Sequence, residues 1–344
     1  MRKFLRHLSP FAPDDSGAVS ALFECGGLIV ICDAGGCTGN VCGFDEPRWF
    51  TRRAAIFSAG LRDMDAILGR DKRLVEKLAD AAAALRPPFT AIIGTPVPAI
   101  IGTDFRALQR MAEKATGVPC LAIPTTGTRH YDAGVAAAQL ALARAFADTP
   151  RPVERGLAGI LGATPLDLSR CHARPEIATL QARGWRRILA YGLGCGLDGW
   201  RQAPAAERNF VVSPAGLDAA EFLRQRHGTP YEILPPILPN ALAARLTSLS
   251  ARRVLAIHQQ FAAEVVRRAL PDAAVTCATW FRQDANAAQP GDFTLDGEDD
   301  FAERIAVGDN AVIAADGDTL GEVDGEWLDH PHFAVAGHLE EPPA

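Results

Sequence analysis

Short runs of aliphatic residues alternate with amphipathic segments along almost the whole of this 344-residue chain. Helical spacing of the apolar residues is clearest at 71–85 and 132–147. The aliphatic runs, which end at Gly, Pro, Thr or Asp, predict strands at 28–33, 89–94, 120–124, 157–162, 187–192, 209–213, 253–258, 274–279 and 310–315. Strands that are apolar throughout and alternate with helices form parallel sheets covered on both faces. The sequence therefore predicts an α/β fold built from several Rossmann-like units.

Two proline-containing breaks divide the chain into three predicted domains. One break lies at 148–152 and the other is the run PPILP at 235–239. Units of roughly 100–150 residues are the usual size of a domain. We expect Rossmann-like domains at 1–150, 151–248 and 249–344, and we expect the first of them to bind the cofactor.

Composition and charge exclude several classes of function. The formal net charge is 35 − 41 = −6, and no long basic block is present, so no nucleic-acid binding is expected. The longest apolar run, at 28–32, has the length of a strand and is far too short to span a membrane. The first residues lack the apolar core of a signal peptide, so we expect a cytoplasmic protein. Its eight cysteines should then be thiols or metal ligands rather than disulfides.

Four of the cysteines, Cys25, Cys32, Cys37 and Cys42, lie close together in the sequence. Cys37 and Cys42 belong to a glycine-rich segment that directly follows the first predicted strand, where ligands of parallel sheets bind. Glycines let backbone N–H groups approach the sulfides of an iron–sulfur cluster, and thiolates bind its iron. Two thiols do not complete such a site. Either Cys25 and Cys32 supply the remaining ligands, or a second chain does.

Other interpretations of this segment remain open. A glycine-rich turn that merely holds two buried thiols is the simplest alternative. The Cys-x-x-Cys spacing of structural zinc sites is missing, and so is the Gly-Lys-Ser/Thr ending of a phosphate-binding loop. A lone G-x-G-x-x-G pattern occurs at 194–199, but only nine residues separate it from the next predicted strand. We expect a tight glycine turn there, so an NAD-dependent Rossmann enzyme is the less favoured alternative.

Several segments, in the right order, resemble the nitrogenase component 1 type proteins. The matching segments are 13–18, 30–40, 45–49, 57–74, 94–104, 123–127, 209–213 and 228–231. In that family a strand delivers a Gly-Cys cysteine to a metal cluster at a subunit interface, and Cys37 matches this ligand. Thr95 stands where larger members carry a second cysteine. Asp14, Asp15 or Ser16 stands where they carry an early one.

The resemblance implies a short nitrogenase-like oxidoreductase component rather than nitrogenase itself. Its cofactor would be an iron–sulfur cluster, expected as [4Fe-4S], with Cys37 the best ligand, Cys42 the next, and Cys32 and Cys25 further candidates. Electrons would come from a separate ATP-hydrolysing iron–sulfur reductase and pass to a small-molecule substrate. A homodimer, or a heteromer with a related chain, could complete the ligand set by symmetry. The alternative function is a non-catalytic scaffold on which a metal cluster or cofactor is assembled.

Other side chains near these segments are candidates for contact with a substrate or for support of the cluster ligands. They are Thr38, Asn40, Arg48, Thr95, Arg129 and His130. We expect the reductase to dock after Asp45, near Arg48, Trp49, Asp63 and Asp65. Asp45 and Pro47 are better explained as an ordinary helix cap.

Overall fold

The computed structural model describes residues 11–52, 54–69, 71–168, 172–250, 253–299, 301, 303, 312–317 and 326–334. Within these ranges the strands form three sheets, and every strand pair is parallel. The predicted α/β class is therefore confirmed. No helix in the described ranges is long and apolar enough to cross a membrane.

The first sheet has the strand order β2-β1-β3-β4. Its strands are β1 (Leu28–Ile31), β2 (Ala55–Ser58), β3 (Thr90–Ile93) and β4 (Cys120–Ile123). The helices of this part are α1 (Asp14–Leu22), α2 (Gly36–Asn40), α3 (Asp63–Leu68), α4 (Asp71–Leu85), α5 (Pro96–Ile100), α6 (Phe105–Thr116) and α7 (Tyr131–Phe146). The chain leaves β1 toward β2 on one side and later builds β3 and β4 on the other, so the strand order reverses between β1 and β3. Such a switch point is where open parallel sheets bind ligands.

The second sheet has the same pattern, with the order β6-β5-β7-β8. Its strands are β5 (Glu154–Leu161), β6 (Arg187–Ala190), β7 (Ala206–Val211) and β8 (Tyr231–Ile233). Its helices are α8 (Pro165–Leu168), α9 (Arg174–Ala182), α10 (Gly196–Gln202) and α11 (Leu217–His227).

The third sheet has the order β11-β10-β9-β12-β13. Helix α12 (Asn240–Ser248) precedes the strands of this sheet in the chain, and α13 (Gln260–Ala269) connects the first two of them in sequence order. The strands are β9 (Arg253–Ile257), β10 (Ala274–Thr279), β11 (Phe293–Thr294), β12 (Val312–Ala315) and β13 (Glu326–Asp329). The three sheets thus occupy 28–123, 154–233 and 253–329, and the exact domain boundaries stay predictions.

Helices α1 and α7 of this first part cross in close contact. Every residue of α1 is buried. A methyl group on Gly17 would lie 1.9 Å from the carbonyl oxygen of Tyr131, and one on Gly134 would lie 1.7 Å from that of Asp14. Only glycine can stand at these two contacts, because the two backbones touch directly. The crossing holds the start of α1 in place, and that start lies beside the segment that follows β1.

Candidate metal-binding loop

The segment from 32 to 45, called the cysteine loop below, begins where β1 ends at the switch point of the first sheet. Asp33 fixes its shape. The carboxylate of Asp33 accepts hydrogen bonds from the Thr38 N–H at 2.8 Å, the Thr38 hydroxyl at 3.0 Å and the Ser58 hydroxyl at 2.6 Å. Gly35 adopts φ 122°, a conformation that favours glycine. This role of Asp33 was not predicted from the sequence, although its position directly after a buried strand was a signal for it.

The two central thiols of the cysteine loop are partly exposed. Cys37 lies in α2, and Cys42 lies in the π-helical turn Val41–Asp45. Built methyl groups on Gly35, Gly36 and Gly39 would meet no atom within 4 Å, so the surface beside the thiols is open. This part of the loop can therefore accommodate a bound group that approaches the backbone closely.

Burial disfavours the ionised form of both thiols. Burial raises the pKa of Cys37 to about 11, and the charges of Asp15 and Asp33 add to the effect. Burial, and then the nearby carboxylates Glu46 and Asp33, also raise the pKa of Cys42. Metal binding needs the thiolate form, so it must release these protons.

Cys25 and Cys32 lie away from this open surface. Cys32 continues the alternation of β1 and packs with Leu28 and Val30 on one face of the first sheet, whereas Cys25 belongs to the apolar cluster on the other face. Burial raises the pKa of each thiol to about 12. The structure thus brings Cys37 and Cys42 to one loop and leaves Cys25 and Cys32 in the core.

No ready-made metal site is present in the described part of the chain. It contains no group of three or more His, Cys, Asp or Glu side chains placed to hold a metal ion. Of the remaining cysteines, Cys120 and Cys277 are buried, and Cys195 is partly exposed. Cys171 lies outside the described residues.

The side chains of Thr95 and Asn40 support the cysteine loop from inside the protein. Thr95 is buried, and its hydroxyl donates to the carbonyl oxygen of Cys32 at 2.6 Å, which ties the end of β3 to the end of β1. The Asn40 amide donates to Asp45 at 2.7 Å, and the Ser16 hydroxyl donates to the same oxygen at 2.6 Å. The start of α1 is thereby attached to the end of the cysteine loop.

Arg129 and His130 contribute to a different contact. The buried Asp14 carboxylate accepts hydrogen bonds from the N–H groups of Gly127 at 2.7 Å and Thr126 at 3.0 Å, and from Arg129 at 3.0 Å. The His130 ring packs at 5.7 Å from the ring of Phe11. The structure therefore does not bring these two side chains together with the cysteine loop as one site.

Asp15, the neighbour of Asp14, has a different environment. Its side chain is 1% exposed, and Oδ1 has no hydrogen-bond partner among the described residues. Burial, and next the charge of Asp14, raise the pKa of Asp15 to about 7. Buried polar atoms without a partner are rare in folded proteins, so this carboxyl group needs an explanation.

The expectation that Arg48 contacts a partner is wrong, because its side chain is 0% exposed. The guanidinium donates to Glu46 at 2.7 Å, to the Ser20 carbonyl at 2.7 Å and to the Gly192 carbonyl at 2.8 Å. Arg48 thus joins the first sheet to the turn after β6. The predicted cap is also shifted by one residue, since the side chain of Glu46, not Asp45, accepts from the N–H of Arg48 at 3.0 Å. Asp65 is buried as well, which removes a second charge from the expected docking surface.

Large apolar side chains are exposed in the cysteine loop and in the segments that follow it. Phe44 is 57% exposed and Phe50 is 71% exposed, and both follow the loop cysteines in sequence. Phe57 is exposed on β2, one residue before the Ser58 that binds Asp33. Exposed apolar residues that occur together often mark an interaction surface.

The glycine pattern at 194–199 forms a turn and a short helix. Gly192, Gly194 and Gly196 all have positive φ, and α10 ends at Gln202, four residues before β7 begins. A crossover helix of the length found in dinucleotide-binding units does not fit between the glycine turn and β7. This segment gives no support to an NAD site.

Proteins of similar sequence are known. The chain is similar to the nitrogenase iron-molybdenum cofactor biosynthesis protein NifE of Klebsiella pneumoniae, with 28% identity over 188 residues, which cover 51% of this chain and 41% of that protein. The protein of the same name from Methanococcus maripaludis is 28% identical over 76 residues, 22% of this chain and 16% of that protein. The chain thus spans less than half the length of these relatives.

Solved structures show the same fold. One titled nitrogenase Cp1 at pH 6.5 superposes with a TM-score of 0.71 at 13% identity, covering 99% of this chain and 90% of that chain. The structure at pH 5 gives 0.64 at 14% identity, covering 97% and 78%. The family model for nitrogenase component 1 type oxidoreductases matches residues 16–287, most of the chain, and includes the cysteine loop. The protein therefore belongs to the nitrogenase component 1 type oxidoreductase family.

Proposed function

We propose that this protein holds an iron–sulfur cluster or a metal-cofactor precursor on the cysteine loop and passes it on during cofactor assembly. The observation that carries the proposal is the pair of partly exposed thiols, Cys37 and Cys42, on an open glycine surface with no third ligand group in the described part of the chain. A site that is open on one side and incomplete within one chain suits a group that must arrive and leave. The names of the relatives, which are cofactor biosynthesis proteins, support the same function.

The residues of the cysteine loop fit such a group in their chemistry. Cys37 and Cys42 offer sulfur, the preferred donor for iron–sulfur clusters, and the glycines leave the backbone accessible. Asp33 and Thr95 hold the loop backbone, so the thiols are positioned before any metal arrives. When bound, the cluster supplies iron atoms that exchange single electrons.

The missing ligands would come from a second chain. Phe44 in the cysteine loop, Phe50 after it and Phe57 on β2 are exposed apolar side chains that a partner could cover. A two-fold axis beside the loop would place two further thiols opposite Cys37 and Cys42. The partner is either a second copy of this chain or a related chain, and the buried site would be a [4Fe-4S] or similar cluster.

A second candidate function is electron transfer to a small substrate, driven by an ATP-hydrolysing iron–sulfur reductase. The description of the family as oxidoreductases favours it. The two functions differ in the fate of the metal, because a catalyst keeps its cluster through many turnovers and a scaffold transfers it.

The test begins with anaerobic reconstitution of the parent protein, Cys37→Ala and Cys120→Ala, followed by iron and sulfide analysis. We expect Cys37→Ala to lose nearly all bound iron, because it removes the best ligand. Cys120→Ala should keep the iron, because Cys120 is buried among Leu28, Val30 and other core residues. Equal iron in the parent and in Cys37→Ala would contradict the proposal.

The loaded parent protein is then mixed with a cysteine-ligated apo-protein acceptor, without ATP or reductase. For an assembly protein, iron and sulfide should appear on the acceptor when the two proteins are separated. If the metal stays on this chain, and a family reductase with ATP reduces it repeatedly, the protein is an electron-transfer component instead.

A further inference from the structure

A cavity of about 460 Å³ lies on the side of the first sheet that is covered by α4 and α6. It is found beyond the carboxyl ends of the strands, because Cys32 and Ala59, which directly follow β1 and β2, form part of its wall. The starts of α4 and α6, at Asp71 and Asp104, form another part. The cavity has the size of a small-molecule pocket, and it lies at the edge where open parallel sheets bind ligands.

The wall of this cavity is largely aliphatic. Leu61, Leu74, Ile101 and Leu108 all contribute to it. One buried polar group also lies in the wall, since Cys32 is only 3% exposed and its thiol makes no hydrogen bond to another described residue. A ligand of the cavity therefore needs an aliphatic part that covers these side chains.

Two carboxylates of the cavity wall have no positive partner. Neither Asp71 nor Asp104 forms an ion pair with another described residue. Oδ1 of Asp104 caps α6 by accepting hydrogen bonds at 3.0 Å from two backbone N–H groups. Burial, and next the charge of Asp104, raise the pKa of Asp71, so the two acids lie close enough to repel each other. A cation between them would remove this repulsion.

The cationic side chains Arg73 and Lys77 also line the cavity, but each has a partner elsewhere. Arg73 forms an ion pair with Asp65 at 3.5 Å. The ammonium group of Lys77 donates to the carbonyl oxygen of Ala59 at 3.3 Å. These contacts leave Asp71 without a counter-ion among the described residues.

We propose that this cavity binds an organic ammonium ion with a short aliphatic chain, such as a diamine. Its ammonium groups pair with Asp71 and Asp104, and its methylene groups contact the aliphatic wall, so charge attraction and apolar burial act together. A bare metal ion fits less well, because the described residues contain no group of three His, Cys, Asp or Glu side chains placed to hold one.

The cavity shares part of its wall with the base of the cysteine loop. The N–H of Leu61 donates to the carbonyl oxygen of Asp33 at 2.8 Å, and the hydroxyl of Ser58, next to Ala59, donates to the carboxylate of Asp33 at 2.6 Å. A bound ammonium ion restricts the segment 58–61 and thereby stabilises the base of the loop. The inference goes beyond the proposed function, because binding of the amine needs no metal.

The experiment measures binding of diaminobutane, a short chain with an ammonium group at each end, to the metal-free protein by calorimetry. The variants are Asp71→Asn and Asp104→Asn. Asparagine caps a helix as well as aspartate does, so the second variant keeps the start of α6. Asp80→Asn is the matched control, because Asp80 is an exposed acid of α4 outside the cavity wall. Butanediol, the same chain with hydroxyl groups, and Mg²⁺ are titrated in parallel.

We expect Asp71→Asn and Asp104→Asn each to weaken diaminobutane binding about tenfold, since each loses a hydrogen bond to a charged group. Asp80→Asn should match the parent, and butanediol should bind at least about tenfold more weakly than the diamine. Affinity should fall as the pH is lowered, because protonation removes the charge of both carboxylates. Hydrogen exchange of the Leu61 amide should slow when diaminobutane is bound.

Three results would overturn the inference. One is a parent protein that does not bind diaminobutane, or binds only Mg²⁺. Another is equal affinity of the parent and folded Asp71→Asn, which would place the amine outside this cavity. The third is butanediol binding as tightly as the diamine, which would show that the carboxylates play no part. If Asp104→Asn does not fold, Asp71→Asn still decides the question. None of these measurements involves iron, so failure of the inference leaves the proposed function untouched.

Discussion

Arg48 is a single residue whose role depends on complete burial. Its guanidinium is surrounded by Glu46, Glu24 and two backbone carbonyl groups, and it also lies 4.8 Å from the centre of the Phe23 ring. The sequence alone suggested a surface residue, because Arg48 lies in the segment after Asp45 where a partner was expected to dock. Nothing in the local sequence indicates that the turn after β6, more than a hundred residues away, supplies the carbonyl group that Arg48 binds.

This burial predicts a large effect of Arg48→Met on stability. The substitution keeps most of the volume but leaves Glu46 buried without its partner, so the free energy of unfolding should fall by about 3–5 kcal/mol. Chemical denaturation measures the change. The control is Arg201→Met, which removes an exposed ion pair with Asp198 and should cost less than about 1 kcal/mol. A similar small loss for both variants would show that the buried network contributes little.

The residues of the cysteine loop were only partly predictable. Cys37 was identified from the resemblance, and the position of the loop followed from the end of β1. The burial of Cys25 and Cys32 away from the open surface of the cysteine loop was harder to predict, because it depends on which face of the sheet each side chain takes. The free oxygen of Asp15 could not be predicted at all, since it depends on hydrogen bonds that Asp14 and Ser16 make to distant segments.

At the scale of secondary-structure elements, the crossing of α1 and α7 is the tightest contact. It predicts that Gly17→Ala and Gly134→Ala each force the two helices apart and reduce the free energy of unfolding by roughly 3 kcal/mol or more. Gly39→Ala in α2 is the control, because its methyl group would meet nothing within 4 Å. It should change stability by about 1 kcal/mol or less. Thermal unfolding of the three variants measures these changes in stability. If all three variants unfold at the same temperature, the helix crossing tolerates alanine and the prediction is wrong.

All nine predicted strands are present, and the described part of the chain contains four more that the sequence did not reveal, β2, β8, β11 and β13. Each of these lies at the edge of its sheet. Central strands are covered on both faces and therefore read as continuous apolar runs. An edge strand such as β8, whose residues are all partly exposed, carries no such signal.

At the scale of the whole molecule, buried polar contacts connect the three sheets. Gln259 after β9 donates to the Val212 carbonyl after β7 at 3.2 Å. The hydroxyl of Tyr131 in α7 donates to Asp167 in α8 at 2.8 Å, and Thr164 donates to the same carboxyl group at 2.8 Å. These contacts make the stability of the molecule depend on the protonation of buried acids.

Asp167 provides a test of this dependence on pH. Burial raises its pKa from 3.8 to about 7 in the folded state. The folded protein thus binds this proton more tightly than the unfolded chain, so the resulting stability is full below about pH 4 and is lost as the pH rises through 7. Asp167→Asn cannot titrate. As the pH falls from about 8 to 4, the parent should gain on the order of 3 kcal/mol of unfolding free energy relative to the variant. Urea denaturation at several pH values gives the difference, and a constant difference would contradict the raised pKa.

The contact between Ala12 and Ala334 has a consequence for the order of events during biosynthesis. The N–H of Ala12 donates to the carbonyl oxygen of Ala334 at 2.6 Å, and the ring of Phe11 packs 5.0 Å from that of Phe281. These residues directly precede the helix that carries Asp15. Because a ribosome delivers residue 12 long before residue 334, a nascent chain cannot close this contact until residue 334 has been made. The start of α1, and with it the hydrogen bond from Ser16 that holds Asp45 of the cysteine loop, should therefore reach its final packing only after the third sheet has been synthesised.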